Sequence, residues 1–516
     1  MSTRGEGGEN LTISATTIGR EGGENLTISA TTRRALWRWT GVGVVLLAGV
    51  VAVFGQNNRE GKGRRSGGGN GEVRMPAAAF RTEVPARDYD VILVRPTRDS
   101  MSVSVLAYRD LRATLRLGRS ADALTLDAAT VDLKAGQPAL VTFGKLQAGT
   151  RYFYRFEPAA ESGVAAGEVA SFTTARAPGE SFCFTIQADS HLDAGTEPAL
   201  YERSLARVRA SRPDFHVDLG DTFMTDKRGS DFRAAEANYL AQRYYFGRLG
   251  GAVPLFLALG NHDGETAVRS GGGQEAMPVW SNAQRKALFP NPRPDAFYSG
   301  NATPHPRAGV LENYYAWEWG DALFVVLDPF WFSGRIGREG DVWERTLGRA
   351  QYDWLRGVLA RSGAKWKFVF LHHLVGGIAS EGRGGDAAVP LYEWGGRGAD
   401  GRDEFAARRP GWEAPIHALL VKHGVTAVFH GHDHLFAQQV VDGIVYQELP
   451  QPAHPRPNAR NAAEYGYRGG EIFGASGVMR VRVGPDEAAL EFLDVKGGDD
   501  VVAHTLRLTP AAQRNK

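Results

Sequence analysis

One cysteine, Cys183, stands in 516 residues. A single thiol cannot close an internal disulfide or build a thiolate metal cage, so any bound metal must rely on oxygen and nitrogen donors. Cys183 sits in the apolar run FCFTI and reads as a small buried hydrophobe. Charge of one sign is also missing. Lys and Arg number 60 against 58 Asp and Glu, a formal net charge of +2. That excludes the large positive field on which nucleic-acid binding depends, and no nucleic-acid-binding surface is evident. Long apolar runs are scarce too; the one that exists lies near the N-terminus.

That run covers residues 39–55 and follows Arg33, Arg34 and Arg38. Its length is close to the minimum for a membrane span, roughly 17 residues. A basic flank, an apolar centre and a polar sequel also form the anatomy of a signal peptide. Export is expected, with the segment as an uncleaved membrane anchor or a cleaved signal, and hence a membrane-anchored, periplasmic or extracellular protein. Arg59, Lys62, Arg64 and Arg65 place positive charge on the far side as well, which leaves the orientation open. Before the run, GGENLTISATT occurs at 7–17 and again at 22–32. Two short copies make no solenoid, and their Gly, Ser, Thr and Glu content predicts a disordered tail over 1–34. The anchor or signal segment takes 35–56, and a Gly-rich linker 57–78.

Residues 79–175 alternate in short β-type runs such as 89–94, 102–107 and 139–143, separated by turn residues. This predicts an all-β sandwich. Tyr152, shortly after Leu146 and Gly149, sits where a tyrosine corner would place it, and the stretch resembles a fibronectin type III-like module. From 180 to 516 the pattern changes. Apolar strands near 182–188, 215–219, 254–259, 322–327, 368–371 and 425–429 alternate with helical segments near 199–210, 350–359 and 416–422. This is the rhythm of a layered α/β fold. Hairpins are expected around Asp442-Gly443 and around Gly484-Pro485-Asp486, the second closing the sheet.

Five short motifs follow the strands of this second region. They are Asp189-Ser190-His191, Gly220-Asp221, Gly260-Asn261-His262-Asp263, His372-His373 and Gly431-His432-Asp433-His434. Carboxylate, imidazole and amide ligands at the carboxyl ends of strands are what a two-metal hydrolase needs. Such donors suit Mn, Fe or Zn without choosing among them. Each motif alone is weak, since Gly-Asp occurs everywhere; the ordered series is specific. His216, His423 and Asp193 read as a strand residue, a helix-end group and a loop carboxylate. His430 is ambiguous, and His373 reads as a neighbour of the ligands.

The ordered series resembles the calcineurin-like metallophosphoesterases, and the preceding sandwich resembles the purple acid phosphatase branch. The resemblance implies a calcineurin-like layered β-sandwich flanked by helices. It implies two divalent metal ions, the first held by Asp189, His191, Asp221 and His434. The second would be held by Asp221, Asn261, His372 and His432, with Asp221 bridging. It further implies hydrolysis of a phosphate ester by a hydroxide shared between the metals. His262 would be the catalytic imidazole that protonates the leaving oxygen, and Asp263 would orient it. Purple acid phosphatases carry a Tyr three residues after the bridging Asp; Met224 stands there, which argues against a tyrosinate–iron site. A phosphomonoester is the expected substrate, with a phosphodiester or nucleotide as the alternative. The other class of reading is a non-catalytic surface binding protein on a metal-stabilised scaffold. Oligomeric state is left open. Two inserts, 264–312 and 374–415, are expected to shape the pocket, the second through Trp394, Arg408, Arg409 and Trp412, unless these only pack.

Overall fold

Three sheets organise the described residues. In the computed structural model of the protein the described residues are 13–17, 80–266, 276–334, 340–378, 382–497 and 501–510. The apolar run 39–55 and the linker lie outside them. Among the described residues no helix is long and apolar enough to cross a membrane.

The first region is a sandwich of seven antiparallel strands. Asp127–Leu133, Leu111–Gly118, Arg151–Pro158 and Ala170–Thr173 form a four-stranded sheet. Tyr89–Val94, Met101–Ala107 and Ala139–Phe143 form the facing layer. Alternate residues point inward, so Leu111, Ala113, Leu115 and Leu117 of one strand meet Val103, Val105 and Val141 across the core, as the two-residue period of a strand dictates. The Tyr152 hydroxyl accepts a hydrogen bond from the backbone N–H of Gln147 at 2.8 Å, the contact expected of a tyrosine corner.

Strand Tyr89–Val94 does not end the sandwich. It pairs in parallel with Pro254–Leu257, which continues through Phe215–Asp218 and Phe182–Gln187 to Gly477–Val483, Ala488–Asp494 and Val502–Leu508. One ten-stranded sheet therefore runs through both regions. Polar contacts reinforce the seam: Tyr154 Oη donates to Gly251 O (2.6 Å) and Arg95 Nε to Asn291 O (2.7 Å). Arg243, fully buried, donates to Ser104 O (2.6 Å), Ser104 Oγ (3.1 Å) and Leu288 O. At the far edge of the sandwich, Ile13–Thr17 pairs with Ala139–Phe143. These five residues of the duplicated tail are thus a strand rather than disordered. The reason is local: Ile and Thr favour extended backbone, and a sheet edge offers unpaired N–H and C=O groups.

The second region is layered α/β/β/α. The ten-stranded sheet faces an eight-stranded one, in the order Ser299–Gly300, Tyr315–Trp319, Ala322–Val326, Trp366–Phe370, Ala427–His430, Ile444–Glu448, Phe436–Val441, Glu471–Phe473. The core between them is aromatic. Phe184 lies 5.5 Å from Phe215, 5.2 Å from Phe324 and 5.4 Å from Phe368, ring centre to ring centre. Helices Pro198–Ala210 and Glu236–Gly247 cover the outer face of one sheet, and Arg349–Arg361 and Ile416–Lys422 that of the other. Asp442 (φ 49°) and Gly443 (φ 79°) make the expected hairpin turn, since a two-residue turn of this kind needs positive φ at both positions. The hairpin around residues 484–486 does not close the sheet. Val502–Leu508, half exposed and weakly patterned, adds one more strand.

Candidate metal centre

Each of the five motifs sits just beyond the carboxyl end of a central strand, three on one sheet and two on the other. Facing sheets therefore bring together donors separated by more than 240 residues, such as Asp189 and His434. The loops carrying them are sharply bent. Asp189, His191, Asp221, His432 and His434 all have positive φ, at 57°, 46°, 55°, 84° and 60°. A non-glycine residue there is strained and persists only when its surroundings hold it. Gly220 and Gly260 allow two of these loops to touch: a Cβ on Gly260 would fall 2.0 Å from Asp221 N.

Asp189, His191 and His434 form one group of donors, and Asp221, His372 and His432 a second. Asp189 Oδ1 lies 3.4 Å from His191 Nε2 and 3.3 Å from His434 Nε2. Asp221 Oδ2 stands between the groups, 3.2 Å from His372 Nε2 and 3.8 Å from His191 Nε2. Their other atoms are committed. Asp189 Oδ2 accepts from His432 N (2.8 Å), Asp221 Oδ1 from His262 N (2.8 Å), and His372 Nδ1 donates to Leu219 O (3.0 Å). What remains is telling. Asp189 Oδ1, His191 Nε2, Asn261 Oδ1 and His372 Nε2 are buried and make no hydrogen bond among the described residues. Buried polar atoms go unpaired rarely and at a cost. Several converging on one place, all oxygen or imidazole nitrogen, fit divalent cations.

The electrostatics agree. Burial opposes ionisation of Asp189, but His372 and His434 outweigh it and hold its carboxyl well below the usual range. Asp221 is likewise lowered against burial, by His372 and His262. Burial also works against charge on His191 and His372, yet the neighbouring carboxylates raise them to about 10 and about 9. The carboxylates thus demand positive charge, which protons supply when no metal does. His432, packed against His373 and His372, is driven well below its ordinary value by burial and those neighbours.

Around the donors the structure corrects one expected role. Asp263 does not orient His262. Its carboxylate accepts backbone N–H bonds from Gly260 (2.8 Å), Asp221 (3.1 Å), Thr222 (2.9 Å) and Phe223 (2.8 Å). It clamps two motif loops together, and burial, then the charge of Asp221, raises its pKa to about 7. The His262 imidazole instead meets Asp226, with Nδ1 3.0 Å from Oδ1. Local geometry decides this: Asp263 points back into its own turn, while the 3-10 segment Thr225–Ala235 returns Asp226 to the imidazole. Asp193, read as a loop carboxylate, holds His191 Nδ1 at 3.2 Å, and the Gln451 amide approaches the same nitrogen at 3.1 Å. Such partners fix the ring that presents the opposite nitrogen. Asp193 was within reach of a sequence reading, two residues beyond a ligand; Gln451 was not.

The inserts mostly pack. In the first, buried Arg285 pairs with Glu265 at 2.6 Å beside Asn282. In the second, Trp394 is buried and donates to Tyr446 Oη (3.0 Å), Arg409 pairs with Glu393 (2.6 Å), and Arg408 with Asp341 (2.7 Å). The insert reaches the centre through Arg383, which the sequence reading missed. It donates to His432 O (2.8 Å) and to Asp433 (3.1 Å). His216 is a strand residue bonded to Thr185 Oγ1 (2.9 Å) and lowered to about 3 by burial. Met224 is buried.

Residues 184–436 match the family model for calcineurin-like phosphoesterases, a span that holds all five motifs. No curated protein sequence matches the chain. Among solved structures, PhoD superposes with a TM-score of 0.60 at 15% identity, over 85% of this chain and 92% of that one. The purple acid phosphatase PPD1 from yellow lupin (Lupinus luteus) seeds gives 0.54 at 12% identity, over 81% of this chain and 74% of that one. At these identities the likeness is one of fold. Residues 184–436 are thus a calcineurin-like metallophosphoesterase region, of the phosphoric ester hydrolases, and the fold around them is like that of PhoD and of the purple acid phosphatase.

Proposed function

We propose that the protein is an exported phosphomonoesterase working with two divalent cations. The observation that carries this reading is the place of Asp221 Oδ2 between two donor groups, 3.2 Å from His372 and 3.8 Å from His191. Two cations there would supply Lewis acidity and a water made acidic enough to attack phosphorus in line. Asp189, His191, Asp221 and His434 would hold one, and Asp221, Asn261, His372 and His432 the other. Mn, Fe(II) and Zn all suit this donor set, whereas a tyrosinate–iron site is disfavoured by Met224.

The chain's own residues account for the rest. His262 stands at the mouth of the centre, its backbone N–H on Asp221 and its Nδ1 on Asp226. With Nδ1 held by Asp226, Nε2 would be the proton donor to a leaving oxygen. The phosphomonoester assignment is supported by the sandwich-led layout shared with the yellow lupin phosphatase, and export by the basic-flanked apolar run at 39–55.

The test uses the full chain, purified metal-free and then given Mn, Zn or Fe(II). p-Nitrophenyl phosphate is offered beside bis-p-nitrophenyl phosphate. Metal-dependent release from the monoester is expected. It should fall by about a hundredfold or more in His262→Ala, while two metals per chain are retained. Preference for the diester would replace monoesterase by diesterase. Turnover indifferent to His262, or to metal, would overturn the reading.

A further inference from the structure

A pocket opens on the His434 side of the centre, and beyond His434 itself none of the metal donors lines it. Its lining comes from the segment after strand Ile444–Glu448: Gln451, His454, Asn458, Asn461 and Tyr465, with His434 as its inner wall. The segment is anchored at several points. Pro452 O and His454 O accept bonds from Ser204 (2.5 Å) and Ser476 (2.6 Å). Ala462 and Tyr467 are buried against Leu435 and Ala437. Gly474 lies so close that a Cβ there would fall 2.4 Å from Asn458 Cα. The pocket wall is therefore held in place before any ligand arrives, which reduces the ordering cost of binding.

The lining is mostly polar, with Leu435 and Pro457 as its apolar part and Asp433 as its one carboxylate. His454 Nδ1 accepts the N–H of Arg456 (3.1 Å), which leaves Nε2–H as a donor. Asn458 Oδ1 accepts the N–H of Arg460 (3.2 Å), and Asn461 Nδ2 donates to Tyr465 Oη (3.1 Å). Asn458 Nδ2 and Asn461 Oδ1 thus remain, one donor and one acceptor, with no partner among the described residues. The carboxylate at the floor is occupied: Asp433 accepts from Arg383 (3.1 Å), Gly384 N (2.9 Å) and Tyr467 Oη (2.8 Å). Neutral groups that both donate and accept match hydroxyls, which do the same. They match an aryl or alkyl group poorly, because burying them against it leaves them unpaired.

We propose that this pocket receives the alcohol portion of the substrate and selects a neutral, hydroxyl-bearing one, a polyol or sugar phosphate. The proposal rests on the phosphomonoesterase reading and names its substrate class. The test compares glycerol 3-phosphate with n-propyl phosphate, equal in carbon count and differing in hydroxyls, and includes p-nitrophenyl phosphate as a reporter of basic activity. With the full, metal-loaded chain, kcat/KM for glycerol 3-phosphate should exceed that for propyl phosphate by about tenfold. In Asn458→Leu/Asn461→Leu that preference should shrink below about twofold, through the glycerol ester alone. His454→Phe, at a separate anchor, should shrink it too, so the outcome does not hang on one variant's folding. Equal use of the two esters by the native chain would overturn the proposal, as would a parallel loss of both in the variants. If p-nitrophenyl phosphate is hydrolysed but no preference appears, the pocket assignment alone falls. If none of the three is hydrolysed with any metal, the underlying reading falls and takes this one with it.

Discussion

The sandwich and the metal-bearing loops are built from the same kind of strand and share a sheet, yet they treat polar groups in opposite ways. In residues 80–175 only Arg95 and Lys145 have positive φ among non-glycines, and the buried polar atom left unpaired is Asp127 Oδ2. In the motif loops Asp189, His191, Leu192, Asp221, Met224, His432 and His434 all carry positive φ. There Asp189, His191, Asn261 and His372 each bury an atom with no hydrogen bond. The sandwich spends its backbone on ladders and its side chains on one apolar core. The loops accept strain and unpaired groups because a cation can satisfy several of them at once. The difference separates a part that stabilises from a part that must stay poised to bind.

The sharpest way to strain this comparison is metal binding. If the loops are the unsatisfied part, Mn or Zn at about a thousand times its dissociation constant should add about 4 kcal/mol of stability. Thermal unfolding of Asp221→Ala should show none of that gain, while the native chain shows all of it. A gain undiminished in the variant would place the bound metal elsewhere.

Next comes the seam. Among the described residues Arg243 is buried with no carboxylate in salt-bridge contact, and burial lowers its pKa to about 10. Its bonds to Ser104 and Leu288 tie the two regions together. Arg243→Ala leaves buried carbonyls unpaired and opens a cavity, and should cost about 3 kcal/mol in urea unfolding. Metal-dependent activity at 25 °C should persist. A variant as stable as the native chain would show that the shared sheet alone joins the regions.

The smallest of these effects concerns the imidazole. Asp226→Asn should lower kcat about tenfold to a hundredfold, with metal content and melting temperature nearly unchanged. Asp263→Asn should instead reduce metal content, since that side chain holds the loop of Asp221. Equal behaviour of the two variants would dissolve the distinction between orienting His262 and clamping the loops.

The strand series was legible because buried parallel strands read as short apolar runs, each ending in Gly or a metal-binding side chain. Phe182–Gln187, Phe215–Asp218 and Ala427–His430 are of this kind. Val502–Leu508 was not legible, since an edge strand exposed on one side needs no strong apolar pattern. Nor was helix Met277–Leu288 inside the first insert, whose buried Arg285 and Asn282 look like surface residues in a bare sequence. The role given to Asp263 was misread because adjacency in the chain was taken for adjacency of side chains.

By itself, the sequence determined the family and the order of its donors, because ligand type and spacing at strand ends are local properties written residue by residue. It also determined that metal, if bound, would meet no thiolate. Tertiary structure decided which carboxylate faces which imidazole, that the sandwich and catalytic layers share one sheet, and that Gln451, His454 and Arg383 stand beside the centre. Those facts depend on where loops far apart in the chain turn and meet. Side-chain direction at such meetings is set by backbone dihedrals and packing, which no single stretch of sequence contains.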